Sequence, residues 1–151
     1  LEKYRIAFDN KGKYSNFDNF VNEFVELLAI IERNLEKKIN ATGDIGLRYI
    51  NEFSLKFEDL GLFKISLNTG IKEIGLDFNA AYEVKNENVR SVVRVSRRVK
   101  NKDDVLIVFD IDSHMSCAGG EEVIGKFKHL RAEKNNIFFS NVNEKLIERW
   151  L

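Results

Sequence analysis

Two hydrophobic periods alternate along this chain, and the switches between them mark out its elements. From Phe17 to Leu35 apolar side chains return every three or four positions: Phe17, Phe20, Val21, Phe24, Leu27, Leu28, Ile31 and Leu35. Glu23, Glu26, Glu32, Arg33, Glu36 and Lys37 take the other side. That spacing predicts an amphipathic helix of about five turns. Ser15 with Asp18 three residues on predicts its capping box, with Asp in place of the usual Glu. The helix is expected to end near Asn40, before Gly43, with Lys37 and Lys38 at its negative end.

Elsewhere the period is two, the spacing of strands. Residues 2 to 9 alternate Tyr4, Ile6 and Phe8 against Lys3, Arg5 and Ala7, a first strand closed by the turn Asn10-Lys11-Gly12-Lys13. Gly46 to Phe53 gives a second, with Leu47, Tyr49, Asn51, Phe53 and Leu55 on one face and Arg48, Ile50, Glu52 and Ser54 on the other. Residues 57 to 69 are ambiguous, and a short helical turn is expected at 58 to 63. Lys72 to Val84 and Asn88 to Lys100 alternate cleanly. A two-residue loop at Asn86-Glu87 would pair Tyr82 with Ser91, Ala80 with Val93 and Phe78 with Val95. A three-residue loop at Asn101 to Asp103 would pair Val99 with Val105, Val95 with Phe109 and Val93 with Ile111.

The run from Val105 to His114 is the most apolar in the chain. One face carries Val105, Ile107, Phe109 and Ile111. The other begins with Leu106 and Val108 and ends with Asp110, Asp112 and His114. Such a strand leaves the core at a cleft or rim. In the expected register Arg94 stands across from Asp110 and Arg90 across from His114, which favours ion pairing on that face. Met115 to Gly120 reads as a loop, and Glu121 as the opening of a helix that turns Val123, Ile124, Phe127, Leu130 and Ile137 to the sheet. A break follows at Ser140-Asn141. Asn141 with Glu144 then predicts a cap for a last short helix carrying Val142, Leu146, Ile147 and Trp150.

The order is strand, long helix, four more strands, then helix. Hairpin loops make the last three strands antiparallel. The expectation is one α+β domain over residues 1–151, a two-layer sandwich with a mostly antiparallel sheet of about five strands and helices on one face. This order resembles TATA-binding-protein-like and helix-grip folds in topology.

Composition narrows the function classes. The chain of 151 residues holds 24 basic and 24 acidic side chains, so bulk attraction to nucleic acid or to an anionic membrane is not implied. Charged residues at 32% and hydrophobic ones at 44% are ordinary for a soluble domain. The single cysteine, Cys117, excludes an internal disulfide and fits a reducing cytoplasm. No apolar run reaches the length of about 18 residues that a membrane helix needs, and no signal peptide is visible. The chain opens on Leu1 rather than Met, the mark of a fragment, a processed product or a trimmed chain.

Three readings follow for the site. The first is a non-enzymatic binding or interaction module. Arg90, Arg94, Ser96, Arg98 and Lys100 form a strand face able to contact anions, the phosphates of a nucleic acid among them in a salt-dependent way, and the same face suits a protein partner. The second is a metal-dependent hydrolase or nuclease. Asp110, Asp112 and His114 would be its ligands, completed by Glu83 or Glu52, because carboxylates with imidazole suit divalent metals. No glutamate-x-lysine nuclease motif follows, and His129 and Cys117 are poor ligand candidates. The third is a cavity for a small apolar ligand lined by Phe20, Phe24, Tyr49, Phe78 and Phe109. Phosphate loops, dinucleotide fingerprints, serine elbows and zinc knuckles are absent. Gly119-Gly120 before a helix is too little for an anion site. Binding without catalysis or cofactor is the expectation, with Arg48, Arg94, Asp110, Asp112 and His114 as a partly buried charge network.

Gly46-Leu47-Arg48-Tyr49-Ile50-Asn51, Asp110-Ile111-Asp112 and Phe138-Phe139 together resemble a sporadically distributed family of uncharacterised bacterial proteins. The likeness runs from about Tyr14 to the end. It implies a further N-terminal section, which is then a candidate partner for the exposed face. The chain departs from the family at Asp44 and Glu52, where that family tends to be basic, and at Leu130-Arg131, where it carries leucine-histidine. The resemblance implies no reaction.

Overall fold

The computed structural model describes residues 16–35, 42–56, 58–59, 77–118 and 123–148. The elements are α1 (Phe17–Leu35), β1 (Thr42–Lys56), β2 (Phe78–Asn86), β3 (Val89–Val99), β4 (Asp104–Ala118), α2 (Val123–Asn141) and α3 (Glu144–Glu148). The strands form one antiparallel sheet in the order β1-β4-β3-β2, with α1 and α2 packed on one face. The architecture is therefore the expected α+β two-layer sandwich. Four strands are described rather than five; the strand expected at residues 2 to 9, the start of the strand expected from Lys72, and most of the turn at 58 to 63 lie outside the described residues.

Period two fixes which face each strand buries. Val105, Phe109 and Val93 are fully buried, and Phe53, Leu55, Val95, Ile107 and Ile111 pack with them against Ile137 and Val142. A second cluster gathers Phe17 and Val21 of α1, Leu47, Val89 and Cys117 of the sheet, and Val123, Phe127 and Leu130 of α2. Edge-to-face packing of Phe24 on Phe127, 5.1 Å between centroids, and Arg131 over the Phe17 ring at 4.6 Å tie α1 to α2.

The register of β3 with β4 is the expected one, Val99 opposite Val105 and Arg94 opposite Asp110. Asn101 holds the loop: its Oδ1 accepts from the backbone N–H of Asp103 and Asp104 at 2.8 and 2.9 Å. The register of β2 with β3 differs from the expected one by two residues. Tyr82 pairs with Val93 and Ala80 with Val95, and the loop is Glu87-Asn88. A slip of two leaves every side chain on its expected face, so patterning alone does not resist it. Glu87 sits at φ 49°, in the left-handed region. Glu87→Gly is expected to stabilise the fold by roughly 0.5–1 kcal/mol, measured by urea unfolding.

Other boundaries move for local reasons. The Oδ1 of Asn16 accepts from Asn19 N–H at 2.8 Å and caps α1, while Ser15, the expected cap, lies outside the described residues. β4 runs on to Ala118 where a loop was expected, because Cys117 keeps the alternation and is buried. β1 begins at Thr42, four residues early, pairing with that extension. α2 continues through Asn141, and α3 is capped by Asn143 instead, its Oδ1 accepting from Lys145 N–H at 3.1 Å. Ile124, expected against the sheet, is 43% exposed.

Candidate functional site

The candidate polar residues collect on the face of the sheet that carries neither α1 nor α2. β1 supplies Arg48, Ile50 and Glu52, β4 supplies Asp110, Asp112 and His114, and β3 supplies Arg90, Arg94 and Arg98. Asp110 is the buried centre, its side chain 9% exposed. Arg48 grips it with two hydrogen bonds, Nε to Oδ1 at 2.9 Å and Nη2 to Oδ2 at 2.8 Å, and Arg94 Nη1 donates to Oδ2 at 3.3 Å. The planar guanidinium fork matches the carboxylate, and this bidentate pairing is among the stronger polar contacts a protein makes. Burial alone would raise the Asp110 carboxyl, but the hydrogen bonds and charge of Arg48, aided by Arg94, more than offset it and hold the group below its ordinary pKa. The same hydrogen bond raises Arg48.

Asp112 and His114 form a separate pair. His114 Nε2 lies 3.0 Å from Asp112 Oδ1. Gly46 stands opposite His114 in the ladder, and the imidazole lies over it: a Cβ there would meet Nδ1 at 2.7 Å. Gly46→Ala is therefore expected to displace the ring and to cost about 1 kcal/mol, with much less lost in a His114→Ala background. A double-mutant cycle read by chemical denaturation checks this. Arg90 pairs with Glu83 of β2. A depression of about 440 Å³ opens beside this network, lined by Asp77, Asn79, Arg94, Ser96, Arg97, Arg98, Val108 and Asp110. Lys100 turns away toward β1 and donates to Ser54 Oγ at 3.1 Å.

The arrangement bears on each candidate chemistry. Asp110 is turned to arginines and His114 to Asp112, and no three His, Cys, Asp or Glu side chains among the described residues form a group suited to a metal ion. The aromatics expected to line an apolar cavity pack instead: Phe109 is fully buried, and Phe20, Phe24 and Tyr49 lie against the second core cluster. The side chain of Phe78 is outside the described set. No family model, curated protein or solved structure matches the chain. Among the described residues no helix is long and apolar enough to cross a membrane.

One buried side chain is of a type that ordinarily faces water. Lys134 of α2 is 1% exposed. Its Nζ donates to the Leu47 carbonyl at 3.0 Å and sits 3.6 Å from the centroid of the Tyr49 ring. Desolvation pulls its pKa down to about 6, against a weaker opposing pull from Asp112 and Asp110. The signal was positional: 123, 127, 130, 134 and 137 are one helical stripe, and lysine occupies the fourth place.

Proposed function

We propose that the protein is a non-enzymatic interaction module that docks a protein partner on the outer face of its sheet. The reading rests on Arg48 and Arg94, which Asp110 holds in place while their side chains stay 53% and 44% exposed. Beside them Ile50 is 55% exposed. Arginines already ordered by a buried carboxylate lose little entropy on binding, and arginine beside an exposed apolar side chain is the composition of an interface hot spot. The acids Glu52, Glu83, Asp110 and Asp112 are interleaved with the arginines, which suits a protein surface of mixed charge better than a phosphate backbone.

The test compares the intact chain with Arg94→Glu/Arg98→Glu. Proteins captured by the wild type are titrated directly against both forms. The expected result is a partner whose dissociation constant rises about tenfold or more in the variant. A partner bound equally by both would remove the outer face from consideration. Generic duplex and single-stranded DNA and RNA, followed by anisotropy in low salt, are expected to bind weakly. Tight, steeply salt-dependent binding abolished by the same variant would replace the proposal with a nucleic-acid module. Calorimetric heat with Mn²⁺ or Zn²⁺ that disappears in Asp112→Asn would restore the hydrolase reading.

A further inference from the structure

Among the described residues β1 forms one border of the sheet. Its outward-pointing backbone groups follow from the registers. The hairpin bond from Lys100 N–H to the Asp104 carbonyl belongs to the β3–β4 ladder. Alternate pairs of an antiparallel ladder exchange hydrogen bonds, so even-numbered residues of β4 bond to β3 and odd-numbered ones to β1. On β1 the odd-numbered residues then face β4. The N–H and C=O groups of Asp44, Gly46, Arg48, Ile50, Glu52 and Ser54 point away from it, with no backbone partner among the described residues outside that ladder. A long border strand of this kind is a template for another strand.

The charges along that border have a period. Asp44, Arg48, Glu52 and Lys56 stand four residues apart and alternate in sign. Two copies of β1 laid antiparallel with Ile50 opposite Ile50 bring Arg48 against Glu52 and Asp44 against Lys56, each twice by symmetry. Leu47 then meets Phe53 and Ile45 meets Leu55 on the core face. Centring the pair on Arg48 instead sets Arg48 against itself and Asp44 against Glu52; centring it on Glu52 sets Arg48 against Lys56. Centring on Tyr49 or Asn51 aligns none of the four charges. The geometry points to a second copy of this chain as the occupant of the β1 border, in a two-fold dimer centred on Ile50 whose two sheets run on as one. Centring on Gly46 or Ser54 pairs only two of the four charges, so the Ile50 register is the one that sets all four against opposite partners, and there Ile50, 55% exposed in the single chain, packs flank to flank with its mate while the outer face stays open.

Sedimentation velocity of the full chain over a range of concentrations tests this, together with thiol cross-linking in a Cys117→Ser background. The expected results are a reversible dimer, a dissociation constant raised about tenfold by Glu52→Lys, and a disulfide dimer from Ile50→Cys but none from Ser54→Cys, which faces Gly46 rather than itself. Ile50→Cys carries the test if Glu52→Lys fails to fold. A monomer at every concentration overturns the proposal, and protection of the Arg48, Ile50 and Glu52 amides from exchange in that monomer would assign the border to the chain's own residues. A dimer indifferent to Glu52→Lys, or cross-linked equally by both cysteines, overturns it as well. Because Arg94→Glu/Arg98→Glu alters β3, which β4 separates from the border, while Glu52→Lys and Ile50→Cys alter the border itself, failure here is distinct from failure of the outer-face reading.

Discussion

Replacing Lys134 with methionine is expected to stabilise the protein at pH 7 and to flatten its response to pH. The unfolded chain carries lysine at its ordinary pKa of 10.5, and the folded amine is near 6. Between those values the unfolded state holds a proton that the folded state has lost. Stability therefore rises with pH through that window, by up to roughly 1 kcal/mol per unit. Below about pH 6 both states are charged and the full burial penalty applies. Methionine keeps the unbranched length and gives up one hydrogen bond to Leu47, whose carbonyl also faces the β1–β4 ladder. The net gain at pH 7 is on the order of 2–4 kcal/mol. Urea unfolding at pH 5, 7 and 9 measures it. A wild type with no slope above pH 6, and a variant no more stable, would mean that the Tyr49 ring and the Leu47 carbonyl keep the ammonium charged inside the fold.

Lys134 is part of a wider feature. Along α2, Phe127 and Leu130 belong to one apolar cluster and Ile137 to the other, with Lys134 between them. On the sheet the same level is crossed by Leu47, Ser113 and Ser91, which are ladder partners, and the two serine hydroxyls share a hydrogen bond of 2.7 Å at no more than 1% exposure. A satisfied polar seam thus divides the core. Buried polar groups with all partners in place hold neighbouring elements in one alignment, so the seam fixes the height of α2 along β1 and β4.

The sequence made some of this legible and concealed the rest for identifiable reasons. The β3–β4 register could be read because Asn101 is a strong turn former and faces across the ladder carry matching valines. The β2–β3 register could not, because Glu87 is flanked by Asn86 and Asn88, which are equally good loop residues, and a two-residue slip costs nothing in patterning. The partnership of Arg94 with Asp110 came directly from that legible hairpin. Arg48 belongs to the expected network through the charge that a strand rich in apolar residues carries; its place against Asp110 rests on β1 lying beside β4, a long-range pairing that no loop length dictates. Lys134 is concealed by its residue type: lysine reads as solvent-facing, yet the buried stripe of α2 runs through it. Gly46 stands in the sequence only as part of a motif; that the imidazole of His114 needs its missing Cβ is visible only once the strands are paired.

Removing Arg48 is expected to have the second large effect. In Arg48→Ala the Asp110 carboxylate stays buried with Arg94 alone at 3.3 Å. Loss of one partner from a buried charge costs up to about 3–5 kcal/mol. Because the Arg48 side chain is half exposed, solvent screening brings the expected loss to about 2–3 kcal/mol at pH 7. The two partners are not equivalent. Asp110→Asn leaves two guanidiniums that can turn to water, so it should cost less than Arg48→Ala does. The pH dependence separates charge from packing. Asp110 has its folded pKa below the ordinary value of 3.8. Its contribution is therefore present above pH 3.8 and disappears as pH falls through the folded value. The gap between wild type and Arg48→Ala is expected to narrow in that acid range, while a loss due to packing of the arginine stem would persist. Urea titrations at pH 7 and near pH 3 decide between the two, and a gap that stays constant would show that Arg48 acts as a spacer rather than as the counter-charge of Asp110.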